Sequence, residues 1–391
     1  MMLFQAVFWF NPFAENLFRQ QTAMGSMNDR VLRFACILLS LFMVTAALSF
    51  AAVVFGPMAF ALLIMAIVWP LDAALRKILP RGLALIITLL FTFVAVITFS
   101  SLITWSGGQI THWLIQNQGH FQDLYVQGAS WLEGHDIFAA ANAAETFNVV
   151  WLIRVFQTLV QRLNSLLGFT LLVFIFMTMG LLEADALRSN LLALDGTGTA
   201  AGSSIGAGAG SGNGARLVAA FRAIGGKWRR YMLMRTLASL LTGVLIWGVT
   251  LAVGMELASA FGAMSFALNY IPFIGPLVAT ALPSLFALAQ TGSFETAFLV
   301  LCVITMIQFI IGSYLEPLFT GKALAISPFL VVFTVFFWSL LWGLPGMVIG
   351  VPILIACLTI CDHFPQSRWI ATLLSGRESA TVSAADDVLE P

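Results

Sequence analysis

Charge is confined to the edges of this sequence's apolar stretches, and that constrains the fold more than any other feature. Residues 34–71, 82–122, 163–182, 236–255, 257–294, 296–315 and 323–361 contain no Asp, Glu, Lys or Arg. A helix needs about 20 apolar residues to cross a bilayer. Only 9% of the chain is charged, against about 25% in soluble domains, and mean hydropathy is +0.96. An ordinary soluble enzyme is excluded. The net charge is zero, so no bulk positive field exists to hold nucleic acid. The expected partner is the lipid bilayer.

The runs assign spans. Residues 34–71 hold two, with Gly56-Pro57 as the expected turn. Residues 82–122 stay apolar only to Trp105, then turn polar at Ser106-Gly107-Gly108-Gln109, which gives one span. The runs at 163–182, 236–255 and 296–315 give one each. Runs 257–294 and 323–361 each give one long span, or one span plus a re-entrant piece. The expected fold is an all-α polytopic membrane protein with about eight transmembrane helices, broken or re-entrant in its C-terminal half.

Lys and Arg orient it. Arg19, Arg30 and Arg33 place residues 1–33 in the cytoplasm, and Arg76, Lys77 and Arg81 put the loop after the second span there too. Residues 34–105 then hold spans one to three. Residues 106–162 form an extracytoplasmic amphipathic segment, where Arg154 and Arg162 dissent from the charge rule, and 163–182 is span four. Residues 183–235 are a basic cytoplasmic loop, 236–361 hold spans five to eight, and 362–391 are a cytoplasmic tail. Met1–Phe13 lacks the basic start of a signal peptide and reads as an interfacial aromatic segment.

Few motifs suggest chemistry. The Gly-rich stretch 196–215 never forms a phosphate loop and reads as a tether. His112, His120 and His135 lack the spacing of a zinc site. Cys36, Cys302, Cys357 and Cys361 read as small buried hydrophobes. No cofactor or metal is expected. No catalytic pair occurs at membrane depth, which argues against an intramembrane enzyme.

Three features break the apolar pattern. Asn269, Tyr270, Pro272, Gly275 and Pro276 interrupt the 257–294 run. Two prolines and a glycine cannot continue a smooth helix. Broken backbone at membrane depth must be buried in protein or line a cavity. A substrate pathway and a packing kink both fit, and Gln308 joins the pathway set as an isolated amide. Second, Glu316-Pro317 and Lys322 suggest gating or ion coupling, or an interfacial ion pair. Third, Gly346 and Gly350 form a G-x-x-x-G, which with Pro352 suggests helix packing.

The segments FALNYIPFIGP (266–276), GSYLEPLFTGKALAISP (312–328) and GLPGMVIGVP (343–352), with Trp69-Pro70-Leu71 before them, resemble the autoinducer-2 exporter family of bacterial inner-membrane proteins. The resemblance is best over 216–360 and absent from the Gly-rich stretch. It implies eight spans, both termini cytoplasmic, a homo-oligomer of pentameric type, and export of a small polar solute, with autoinducer-2 as candidate cargo. Some relatives are assigned as sodium or lithium/proton antiporters, which is the alternative. That chemistry needs a carboxylate at depth, and Glu316 is the one candidate this reading identifies. A scaffold without transport is the remaining class.

Overall fold

The computed structural model describes residues 27–117, 119, 158, 167–196, 213–315 and 326–374. The chain divides into two compact units, Met1–Phe55 and Gly56–Pro391. The first unit contains helix α1, Met27–Phe50, and the opening turn of α2, Ala52–Leu75. A single bent residue, Ala51, separates them: its N–H donates to Ala47 at 2.9 Å and its carbonyl accepts from Val54 at 3.0 Å. The turn expected at Gly56-Pro57 is therefore misplaced. Both residues are buried inside α2. A Cβ on Gly56 would lie 3.3 Å from the Phe169 ring. The pair serves close packing, which tolerates a proline within a membrane helix.

In the second unit α2 is followed by α3 (Arg81–Gln116), α4 (Leu167–Gly196), α5 (Asn213–Ala252), α6 (Ala258–Leu268), α7 (Ile274–Thr291), α8 (Phe294–Ile310, with a π-turn at Ile311–Leu315), α9 (Pro328–His363) and α10 (Arg368–Leu374). Among the described residues seven helices are long and apolar enough to cross a membrane, and two shorter apolar helices, Phe34–Phe50 and Ala258–Leu268, accompany them. The fold is all-α and polytopic, as expected. Helix α3 runs on past Trp105 to Gln116. Of the polar residues expected to end it, Ser106 and Gly107 are buried, as are Ile110 and Trp113 beyond them, while Gly108 and Gln109 are exposed.

Arg76 and Arg81 reach α4 at Asp185, 3.0 and 3.1 Å away. This defines a basic end of the helix array. Phe60 meets Phe169 at 5.3 Å and Phe93 meets Phe174 at 5.6 Å. So α2 and α4 run parallel, with α3 antiparallel to both. Helix α5 begins near the basic end, where Gly225 faces Ala66, and finishes at the opposite end.

The two long apolar runs that sequence left ambiguous both fold back. Helix α6 has 11 residues. At 1.5 Å per residue it is too short to cross a hydrocarbon core of about 30 Å. It descends antiparallel to α5, with Gly262 lodged against Trp247 and the Gly243 carbonyl. The chain turns at Asn269–Phe273 and α7 climbs back. Phe261 meets Phe286 at 4.9 Å. Gln290 closes the base, its Oε1 accepting from the Glu256 N–H and its Nε2 donating to the Gly254 carbonyl, both at 3.1 Å. This first hairpin enters from the end opposite the basic one and returns to it.

Helix α9 is also two arms, joined at Gly343 with φ 65° and ψ −142°. A Cβ on Gly346 would collide with the Trp338 carbonyl, and one on Gly350 would sit 3.0 Å from that of Thr334. In a straight helix the 334–350 pair would be about 24 Å apart. The second arm returns to the basic end. There Lys227 donates to Thr359 Oγ1 at 3.0 Å and Trp228 Nε1 donates to the Pro352 carbonyl at 2.7 Å.

The two hairpins thus enter from opposite ends. Ile271 and Ile274, at the tip of the first, pack in the same cluster as Val335, Ile349 and Trp228. A second cluster, with Phe261, Phe286 and Trp113, fills the other end.

The cysteines correct another expectation. Cys36, Cys302 and Cys357 are exposed and Cys361 is half-buried. The outer faces of these helices are apolar, so a thiol there keeps apolar surroundings without being enclosed by protein.

The tip of the first hairpin is strained. Phe273 has φ 63° and ψ −51°, and the Ile274 N–H donates to the Pro272 carbonyl at 2.7 Å. This is a γ-turn with positive φ, an uncommon and costly geometry for a residue with a side chain. Its ring is 52% exposed, so little burial is lost by removing it. Phe273→Gly should raise the thermal midpoint of detergent-purified protein by relieving about 1 kcal/mol of strain, and Phe273→Val should lower it.

Candidate functional site

The site is assembled on α5. Arg235, Ser239 and Thr242 recur at i, i+4 and i+7, so they form one stripe of the helix. All three are buried, Ser239 and Thr242 completely. Thr236 lies beside the stripe. These residues face the tip of the first hairpin. Asn269 is 2% exposed, and its Nδ2 lies 3.4 Å from both Ser239 Oγ and Thr242 Oγ1. The Tyr270 hydroxyl donates to Thr236 Oγ1 at 2.9 Å. Phe99 of α3 stacks edge-on with Tyr270 at 5.4 Å and with Phe266 at 5.9 Å.

The local sequence explains this placement. Gly275 lets the turn close on itself, because any Cβ there would strike the Leu268 carbonyl. Pro272 is buried at the turn and Pro276 is half-buried in the first turn of α7, where missing N–H groups cost least. Gly243 and Gly262 bring α5 and α6 into backbone contact. Asn269 is thereby carried down to the depth of Ser239.

The two bonds to Asn269 are long. A well-formed N–H···O bond is about 2.9 Å, so at 3.4 Å much of the energy is missing. A buried amide so loosely held can exchange these hydroxyls for those of a solute at small cost. Gln308 supplies a second donor. It lies on α8 between the buried Ile304 and Ile311. Its Nε2 is enclosed and has no hydrogen-bond partner among the described residues. The π-turn begins three residues later. Such turns often mark functional sites.

The structure therefore gathers Asn269, Tyr270 and the turn residues Pro272, Gly275 and Pro276, while Gln308 lies on α8. Gly346, Gly350 and Pro352 lie away from them in the second hairpin. Glu316, Pro317 and Lys322 lie outside the described residues, as do His120, His135, Arg154, Arg162 and most of the Gly-rich stretch. His112 is within hydrogen-bond distance of Gln116, at 2.9 Å.

Sequence reading missed the α5 residues. Their signal was present as polar residues at helical spacing in Arg235-Thr236-Leu237-Ala238-Ser239-Leu240-Leu241-Thr242. Arg235 was taken as the end of the basic loop instead. Asp72, treated as a run boundary, was also missed. It is a carboxylate only 1% exposed.

The sequence matches the AI-2E family transporter profile over residues 37–366. The chain belongs to this family. It is a multi-pass membrane protein of a bacterial transporter family. It is 34% identical over 145 residues to the AI-2 transport protein TqsA of Escherichia coli K12, covering 37% of this chain and 42% of that one. Over 165 residues it is 33% identical to a putative transport protein of Borreliella burgdorferi, covering 42% and 45%. It is 32% identical over 144 residues to the putative transport protein YhhT of Escherichia coli K12, covering 37% and 41%. The chain thus spans less than half the length of these curated relatives.

Proposed function

We propose that this AI-2E family protein exports a small polar, hydroxylated solute across the bacterial inner membrane, with autoinducer-2 as the first cargo to test. The observation carrying this is the buried Asn269 amide, held at 3.4 Å by Ser239 and Thr242 inside an apolar bundle, with the enclosed Gln308 Nε2 on α8 as a second amide without a partner among the described residues. A purely structural network would be tightly paired. Neutral amides and hydroxyls match the hydroxyls and carbonyls of an uncharged solute. The name of TqsA favours autoinducer-2 as cargo. The working unit is a homo-oligomer, a pentamer by family resemblance, with both termini in the cytoplasm.

Purified full-length protein in liposomes tests this. Efflux of loaded autoinducer-2 should exceed that of empty liposomes and saturate. Flux equal to the empty control would overturn the cargo. Orientation is a separate expectation. In a cysteine-free background, Gln116→Cys should react with an impermeant maleimide in spheroplasts, and Ser189→Cys should not. The opposite pattern would invert the topology.

A further inference from the structure

Among the described residues the site above holds no carboxylate, and the second unit buries one elsewhere. Asp72 lies in the last turn of α2, with its side chain 1% exposed. Its Oδ2 is 2.7 Å from Arg76 Nε. Its Oδ1 is enclosed and has no hydrogen-bond partner among the described residues.

Arg76 is shared. Its Nη1 lies 3.0 Å from Asp185 Oδ2 on α4, its Nη2 donates to the Leu181 carbonyl at 3.4 Å, and its guanidinium carbon is 6.0 Å from the Trp69 ring centre. Arg81, at the start of α3, also holds Asp185, at 3.1 Å. Among the described residues the ion pairs connected to Asp72 run through Arg76 on its own helix to Asp185 of α4 and Arg81 of α3. They form an alternating chain whose side-chain exposure falls from 56% at Arg81 and 51% at Asp185 to 20% at Arg76 and 1% at Asp72. The chain leads inward from the basic end and terminates on an oxygen that has no donor among the described residues.

A buried ion pair that served packing alone would have both carboxylate oxygens satisfied, because an ionised oxygen without a donor leaves its desolvation uncompensated. A proton on Oδ1 removes that cost. Arg76 loses little when it leaves, since Asp185 is already in place as its second carboxylate.

We propose that Asp72 is a proton-binding site that couples this protein's transport to a proton gradient. A proton from the basic end bonds to Oδ1, and Arg76 passes from Asp72 to Asp185. Release of the proton reverses both changes. Helix α2 links this exchange to the hairpins, since Leu63 packs in the cluster that holds Val335, Ile349 and the tip residues Ile271 and Ile274.

The coupling step rests on the transporter reading, and the proton site does not, so the test has two arms. In the first, infrared difference spectra of the purified full chain are recorded between high and low pH. Wild type should gain a protonated-carboxyl band that Asp72→Asn lacks and that Asp72→Glu shows at a shifted frequency. In the second, autoinducer-2 accumulation in liposomes is followed under an imposed pH gradient. For one proton per solute, wild type should gain up to about tenfold in accumulation ratio per pH unit. Asp72→Asn should lose this gain yet keep exchange between equal solute pools. Identical infrared spectra for wild type and Asp72→Asn would overturn the proton site. If Asp72→Asn does not assemble, an Asp72→Glu spectrum with an unshifted band does the same. The band without any gradient effect would overturn the coupling, and absence of flux from wild type would count against the cargo alone.

Discussion

Replacing Asn269 by leucine should weaken solute binding about ten- to hundredfold while leaving protein level and oligomer content unchanged. Leucine has a similar volume and removes both the donor and the acceptor of the amide. Each hydrogen bond lost to a solute in a desolvated site costs on the order of 1–3 kcal/mol, and 1.4 kcal/mol is tenfold in affinity. The existing bonds to Ser239 and Thr242 are 3.4 Å long, so their loss costs the fold little. The Thr242 hydroxyl keeps another use, donating to the Ala238 carbonyl at 2.8 Å. Uptake of autoinducer-2 into inverted vesicles, normalised to oligomer on a native gel, measures this. Wild-type kinetics in a normally assembled variant would sink the pathway role. Loss of assembly together with loss of flux would show Asn269 to be a packing residue.

The largest structural effect should come from Gly346→Val. The Cβ would enter the Trp338 carbonyl across the second hairpin, where the neighbour is backbone and cannot swing aside. Overpacking of this kind costs about 3 kcal/mol at the upper end of its usual range. Set against total stabilities of about 5–15 kcal/mol, that should sharply reduce folded protein in the membrane. Gly350→Ala, with 3.0 Å to the Thr334 carbonyl, should be milder. Gly226→Ala on α5 meets nothing within 4 Å and should be neutral or slightly stabilising. Fluorescence-detected size exclusion on the three variants reads the order directly. Were residues 328–363 one straight helix, Gly346 would be remote from Trp338 and valine there would be harmless. The experiment therefore tests the hairpin itself.

The presence of membrane-length helices was legible in the sequence. A charge-free run of membrane length has one low-energy state in lipid, a helix whose backbone bonds are internal. Seven such runs left little freedom in fold class. The break at Asn269–Pro276 was legible too, because proline and glycine act on the backbone locally, whereas Gly346, Gly350 and Pro352 read only as helix packing. The consequence of these residues was not legible. Residues 323–361 could form one tilted helix or two short arms, and composition is the same in either case. The contact of Gly346 with Trp338, and of Gly350 with Thr334, selects two arms, because these pairs, eight and sixteen residues apart, cannot touch along one straight helix.

The end of α3 shows the same division. Ser106-Gly107-Gly108-Gln109 signals a turn by local propensity, yet tertiary packing overrides it. Trp113 donates to Glu256 at 2.9 Å and lies 3.9 Å from Phe286, centre to centre. Those partners lie more than a hundred residues further along the chain.

The candidate site divides likewise. Asn269 stood out in the sequence because an amide among prolines at membrane depth is costly unless it is used. Ser239 and Thr242 did not, since hydroxyl residues in apolar helices commonly bond their own preceding turn. Only the descent of α6 along α5 brings Asn269 against them. Asp72 looked like the border of an apolar run, and it becomes a buried carboxylate because α4 runs parallel to α2 and presents Asp185 to Arg76. Sequence alone determined that membrane-length helices form and that the chain breaks at Asn269–Pro276, because both follow from local backbone chemistry and the apolar solvent. Tertiary structure decided which broken pieces turn back and which polar groups meet, because those outcomes depend on contacts between residues that no local pattern relates.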